Sequence, residues 1–185
     1  MRAWKSPLVL ILPGLGGSGP EHWQTRWQKL YPRHRRVVQL DWDHPEREAW
    51  LAALEAAIGA ARERVVLVAH SLGCALVAHA ATRPAAARVK AALLVAPADV
   101  DSPSCTPAET QVFAPLPLQP LPFPATVVAS ETDPYVTLER ARGFAAAWGA
   151  DFVDAGPRGH LNAASGLGDW PAGRTILDAL VARAL

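Results

Sequence analysis

The sequence predicts an α/β fold, a mostly parallel sheet of about six strands with helices on both faces. Three observations carry that prediction. Short, continuous apolar runs recur along the chain, the pattern of strands buried on both faces. Longer stretches with helical spacing lie between them. The two alternate, and a parallel strand pair needs just such a crossover between its members. The 185 residues are enough for one domain with its own core, taken as residues 1–185. Half of them are hydrophobic and 19% are charged, the balance of a folded globular protein.

Leu8–Leu12 (LVLIL) reads as a buried first strand. Pro20–Leu30 reads as a helix, with proline in its first turn, where the missing N–H costs nothing. Val37–Leu40 is the expected second strand. Glu46–Arg62 has helical spacing through Trp50, Leu51, Leu54 and Ile58. Val65–Ala69 is the third strand and feeds a helix over Ser71–Thr82, which Pro84 stops. Ala91–Ala96 is the fourth strand. Eight of the 17 prolines then fall between Pro97 and Pro124, which excludes a central strand or a regular helix there. A connection of that length is often functional. It reads either as a minimal lid carrying Phe113 and Leu116 or as a rigid surface connection. Ala125–Ala129 resumes as a strand, Val136–Trp148 as a helix and Phe152–Val153 as a last short strand. Ala172–Leu185 is an amphipathic helix, whose surface leaves a homodimer open.

Charge and composition narrow the function. A net charge of +1 favours neither nucleic acid nor an anionic membrane as partner. The basic run Arg33-His34-Arg35-Arg36 reads as a solvated loop. No stretch reaches transmembrane length and no signal peptide is visible, so a cytoplasmic location is expected. The two cysteines, Cys74 and Cys105, have no metal-ligand spacing. No metal or cofactor is expected. Gly14-x-Gly16 after the first strand lacks the continuation of a dinucleotide fingerprint.

Chemistry concentrates in Val65–Gly73, VVLVAHSLG. A β-branched run ends at a serine and a helix follows at once, the sequence form of a nucleophile elbow. The elbow needs small residues two positions either side of the serine; here they are Ala69 and Gly73, where the usual pattern has two glycines. A serine nucleophile needs a base, a group that orients the base, and donors for the oxyanion. In an open parallel sheet these come from loops at the carboxyl ends of strands. Ser71 follows the third strand, Asp133 the strand at 125–129, and His160 the last short strand. The order is Ser, Asp, His, separated by 62 and 27 residues. The expected oxyanion donors are the backbone amides of Leu72 and, in the loop Pro13–Gly17, of Leu15. Gly14, Gly16, His22, Trp23 and Phe113 are candidates for the pocket wall. Asp99 and Asp101 are rival acids, and His70 is expected to point away from the serine side chain. Packing explains Trp23, Trp27 and Trp170 at least as well as an acyl pocket does.

The four pieces PGLGGSGPEHW, AHSLG, SETDPYV and GPRGHLN, in that order, resemble the small single-domain serine hydrolases of the retinoblastoma-binding-protein-nine and YdeN type. The resemblance spans roughly residues 7 to 183. It implies an α/β-hydrolase fold with a reduced sheet and a minimal cap, and a triad falling on Ser71, Asp133 and His160. It implies activity on small ester or amide (acyl) substrates and no cofactor. Binding to a retinoblastoma protein is not carried over, since no LxCxE-type motif is present. Two other readings share these residues: a non-catalytic binding or scaffold protein on the same fold, and an acyltransferase or thioesterase with the same triad.

Overall fold

The structure, a computed structural model, describes residues 7–184. Six strands form one all-parallel sheet: β1 (Leu8–Leu12), β2 (His34–Arg36), β3 (Val65–His70), β4 (Val89–Val95), β5 (Ala125–Ala129) and β6 (Asp151–Asp154). Their order is β2-β1-β3-β4-β5-β6. Five α-helices accompany them: α1 (Trp23–Leu30), α2 (Arg47–Ala60), α3 (Leu72–Ala80), α4 (Leu138–Trp148) and α5 (Pro171–Arg183). The end of the last expected helix, Leu185, lies outside the described residues, as do residues 1–6. Among the described residues no helix is long and apolar enough to cross a membrane.

Strand residues alternate between two cores because successive side chains point to opposite faces. On one face Val65, Leu67 and Ala69 pack with Trp50 and Leu54 of α2, Leu76 of α3, and Phe144 and Trp148 of α4. On the other, Val66 and Val68 pack with Trp23 and Trp27 of α1 and Leu177 and Leu180 of α5. Burial on both faces is what made the central strands read as unbroken apolar runs.

The second strand is displaced from its expected place. It runs over His34–Arg36, the segment read as a solvated loop, and not over Val37–Leu40. Val38 and Leu40 are 70% and 97% exposed. The reason lies in the edge position. β2 pairs only with β1, through Val9↔His34 to Ile11↔Arg36, so it does not need two apolar faces. His34 turns inward against Trp27 and Tyr31. Arg36 donates to the carbonyls of Gly17 and Ser18 and to the Thr25 hydroxyl. Charged side chains on an edge strand also discourage pairing with another chain. A smaller shift occurs at α1, which starts at Trp23. His22 is its N-cap and Nδ1 accepts the Gln24 amide, so Pro20 sits in the preceding turn.

The chain order reverses between β1 and β3, since β2 lies outside β1. Loops leaving the carboxyl ends of these two strands diverge, and such a crevice is where open α/β sheets bind ligands. The register Leu12↔Ala69 sets Pro13 and Gly14 beside His70 and Ser71.

Candidate active site

Ser71 sits between β3 and α3 with φ 55° and ψ −122°. A positive φ is costly for a residue with a Cβ, and it lifts the side chain off the strand at the head of the helix. Two glycines make the turn fit. A Cβ on Gly73 would lie 2.3 Å from the Leu12 carbonyl oxygen, and one on Gly14 would lie 2.9 Å from Ser71 Cβ. Ala69 is fully buried and accommodated within the core, so the elbow tolerates a methyl there.

Three strand ends deliver one continuous chain of contacts. His160 Nε2 lies 2.9 Å from Ser71 Oγ. His160 Nδ1 lies 2.9 Å from both carboxylate oxygens of Asp133. With Nδ1–H donating to the carboxylate, Nε2 is left as the acceptor for the serine hydroxyl. Asp133 is walled off from solvent on its side chain and also accepts the Tyr135 amide at 2.9 Å. The rival acids are engaged elsewhere: Asp99 pairs with Arg140 at 2.9 Å, and Asp101 accepts the Leu116 amide at 3.1 Å.

Several residues that sequence reasoning did not single out hold this geometry. Ser130 Oγ accepts the Arg158 amide at 2.8 Å and the Thr132 amide at 3.3 Å, and so ties the acid loop to the base loop. Thr132 Oγ1 accepts the Gly159 amide at 3.0 Å. His70 lines the same cavity through its packing on the base: its ring centroid lies 4.7 Å from that of His160, and Nε2 donates to the His160 carbonyl at 2.8 Å. Burial first, then the neighbouring His160 and His22, holds the His70 pKa well below the ordinary histidine value. The Tyr135 ring meets His160 edge-on at 4.5 Å. The only signal for Ser130 was its place beside Asp133; its partner in the base loop, Arg158, is 28 residues away.

A cavity of about 440 Å³ opens over Ser71. Leu15, Gly16 and His22 line it, as do His70, His160 and Tyr135. The proline-rich segment adds Ala98, Thr106, Pro107 and Thr110. Leu15 and Leu72 each open a helical turn, where the first amides have no intrahelical acceptor.

Three expected wall residues are placed otherwise. Gly14 lies behind Ser71, where only a glycine fits. Trp23 is buried among Trp27 and Trp170, and its Nε1–H donates to the Leu161 carbonyl at 2.8 Å, which anchors the residue after His160. Phe113 is fully buried against Trp50 and His79; its apolar ring serves the core beneath the wall. Cys74 is buried in the first turn of α3, and burial pushes its thiol pKa up, so it is an inert packing residue. Among the described residues no group of three His, Cys, Asp or Glu side chains is placed to hold a metal ion.

Comparison with known proteins agrees with this architecture. A YdeN-like hydrolase from Pectobacterium atrosepticum is 28% identical, with 96% of this chain and 91% of that chain covered at a TM-score of 0.85. The ydeN gene product of B. subtilis is 18% identical, with 96% and 100% covered at a TM-score of 0.75. An α/β-hydrolase enzyme from a sediment metagenome of the Mar Chica lagoon shares the fold at 14% identity, with 98% and 93% covered and a TM-score of 0.68. No curated protein sequence matches the chain. The model of the serine hydrolase family matches residues 9–179, nearly the whole length. The chain therefore belongs to the serine hydrolase family and has an α/β-hydrolase fold.

Proposed function

We propose that this serine hydrolase cleaves small ester or amide substrates through an acyl-enzyme intermediate, with Ser71, His160 and Asp133 as its triad. The observation that carries the reading is the unbroken relay from Ser71 Oγ to Asp133, 2.9 Å at each link. Ser71 Oγ attacks the carbonyl carbon while His160 Nε2 takes the hydroxyl proton. Asp133 keeps the imidazole in the right tautomer and offsets the charge it acquires. The amides of Leu72 and Leu15 receive the oxyanion, with the N-terminal dipole of α3 behind Leu72. His160 then hands its proton to the leaving group, and the acyl-enzyme forms. A water molecule, deprotonated by the same imidazole, attacks that ester and restores Ser71.

The cavity of about 440 Å³ lies toward the small end of ligand sites, which supports short acyl groups. The test is labelling with a fluorophosphonate together with turnover of p-nitrophenyl esters. Wild type should be labelled and should cleave the acetate faster than the octanoate. Ser71→Ala should not be labelled and should lose at least about 10³-fold in kcat. A labelled Ser71→Ala variant removes Ser71 from the role, and faster octanoate cleavage removes the small pocket.

A further inference from the structure

A residue that lines the cavity over Ser71 carries a buried polar atom that the triad does not use. His22 lines that cavity and is 4% exposed. Its Nδ1 accepts the Gln24 amide at 3.1 Å, so the neutral ring carries its proton on Nε2. Burial, followed by the nearby His160 and Arg36, brings the His22 pKa down to about 4, and the ring is neutral near pH 7. The Nε2–H has no acceptor among the described residues. A buried donor without a partner is costly, so it needs an explanation.

Three of the hydroxyl groups around the same cavity are already committed. Ser18 Oγ donates to Gln24 Oε1 at 2.8 Å, Thr106 Oγ1 to the Ser102 carbonyl at 3.1 Å, and Thr110 Oγ1 to the Pro107 carbonyl at 2.7 Å. Among the described residues, His22 is thus the buried side chain of the cavity wall with a donor still to give. No Asp, Glu, Lys or Arg among the described residues lines the cavity. A charged substrate group would therefore meet no counter-charge on the cavity wall itself, where desolvation penalises it.

We infer that His22 Nε2–H is a substrate-binding donor and that the preferred substrates are uncharged acyl compounds with a second oxygen acceptor near the scissile carbonyl. The inference rests on the hydrolase reading of the site. An ether, hydroxyl or ketone oxygen has the required chemistry, in either the acyl or the alcohol portion. The donor acts in binding and takes no part in bond making.

Two matched pairs test it, each exchanging one CH₂ for oxygen. The acyl pair is p-nitrophenyl methoxyacetate against p-nitrophenyl butyrate. The alcohol pair is 2-methoxyethyl acetate against butyl acetate. Differences in intrinsic reactivity cancel when the kcat/KM ratio of a pair is compared between wild type and a variant. His22→Asn keeps a capping oxygen for the Gln24 amide but is too short to present the donor. His22→Phe keeps the ring and removes the donor. Both variants should lower the preference for the oxygen-bearing member roughly five- to tenfold in one of the pairs. Ratios unchanged in both pairs overturn the inference, and the donor then serves only a bound water. Turnover of p-nitrophenyl hemisuccinate at the rate of the butyrate overturns the uncharged class. In wild type, the His22 Nε2 proton resonance should shift more when Ser71 is modified by a methoxyalkyl phosphonate than by its alkyl counterpart. Equal shifts also overturn it, whether or not the variants fold. Fluorophosphonate labelling separates the two readings: an unlabelled wild type fails the hydrolase, whereas normal labelling with unmoved ratios fails only the role of His22.

Discussion

The elbow and the proline-rich segment line one cavity, yet they are fixed in opposite ways. The elbow is set by backbone crowding. Gly73 lies where a Cβ would come within 2.3 Å of the Leu12 carbonyl, and Gly14 where one would meet Ser71. The segment between Pro97 and Pro124 is set by side chains reaching distant partners. Phe113 and Leu116 are buried in the core, and Asp101 holds the Leu116 amide. Nε2 of His79 bonds to the Phe113 carbonyl at 2.7 Å, and Nε1–H of Trp148 to the Pro117 carbonyl at 2.8 Å. These ties along its length make the segment a fixed wall. Crowding tolerates almost no change at a single position; anchoring spreads its energy over many residues.

The largest effect should therefore come from the smallest change at the elbow. Alanine is better than glycine inside a helix by about 1 kcal/mol. In α4, Gly143 has nothing within 4 Å of a built Cβ, so Gly143→Ala should raise stability by roughly 0.5–1 kcal/mol. The same substitution at Gly73 should lower the melting temperature and cut kcat/KM at least about 100-fold, because β1 and α3 must move apart beside Ser71. Calorimetry and ester turnover on the two variants check the opposite signs. A Gly73→Ala enzyme with wild-type turnover would break the comparison.

That contrast also explains what could be read in the sequence. Steric demands are written locally. The apolar run into Ser71, and Gly73 after it, marked the elbow without knowledge of any partner. Strand ends located Asp133 and His160, because a parallel sheet gathers such loops at one edge. What escaped depends on separation along the chain. Ser130 is tied to Arg158 and Trp23 to Leu161 across 28 and 138 residues, and no local pattern records either bond. Trp23 and Phe113 looked like pocket walls because an aromatic ring suits a pocket or a core equally well. The second strand was misplaced for a related reason. As an edge strand it needs one buried side chain, His34, while Val38 and Leu40 supplied an apolar pattern that the fold leaves in solvent.

An intermediate effect should come from the wall. Phe113→Ala removes a fully buried ring packed on Trp50 and His79. A loss of about 3–5 kcal/mol in unfolding free energy is expected, measured by urea denaturation. The elbow is built separately, so fluorophosphonate labelling of Ser71 should persist where the variant is folded. Thr110 lines the cavity three residues before Phe113, so KM for short esters should rise more than kcat falls. A variant that keeps KM but loses kcat would mean that the wall and the elbow are coupled.

The smallest effect is one of pH, and it separates the two regions by their histidines. On the elbow side, burial lowers His22 to about 4 and holds His70 well below its ordinary value. At the edge strand, burial lowers His34 to about 4. On the wall side, His79 is half-buried and lowered as well. A histidine whose folded pKa lies below its unfolded value of about 6.5 binds fewer protons folded than unfolded. Its contribution to stability is full above about pH 6.5 and is lost as pH falls toward 4. Melting temperature should therefore be level from pH 8 to 7 and decline by several degrees between pH 6.5 and 4. His22→Phe should flatten part of that decline, because the variant has no imidazole to charge. His79→Gln should flatten it less, since its ring is closer to solvent and its bond to the Phe113 carbonyl favours the charged form. An equal loss of slope in the two variants would place the pH sensitivity in the wall as much as in the elbow.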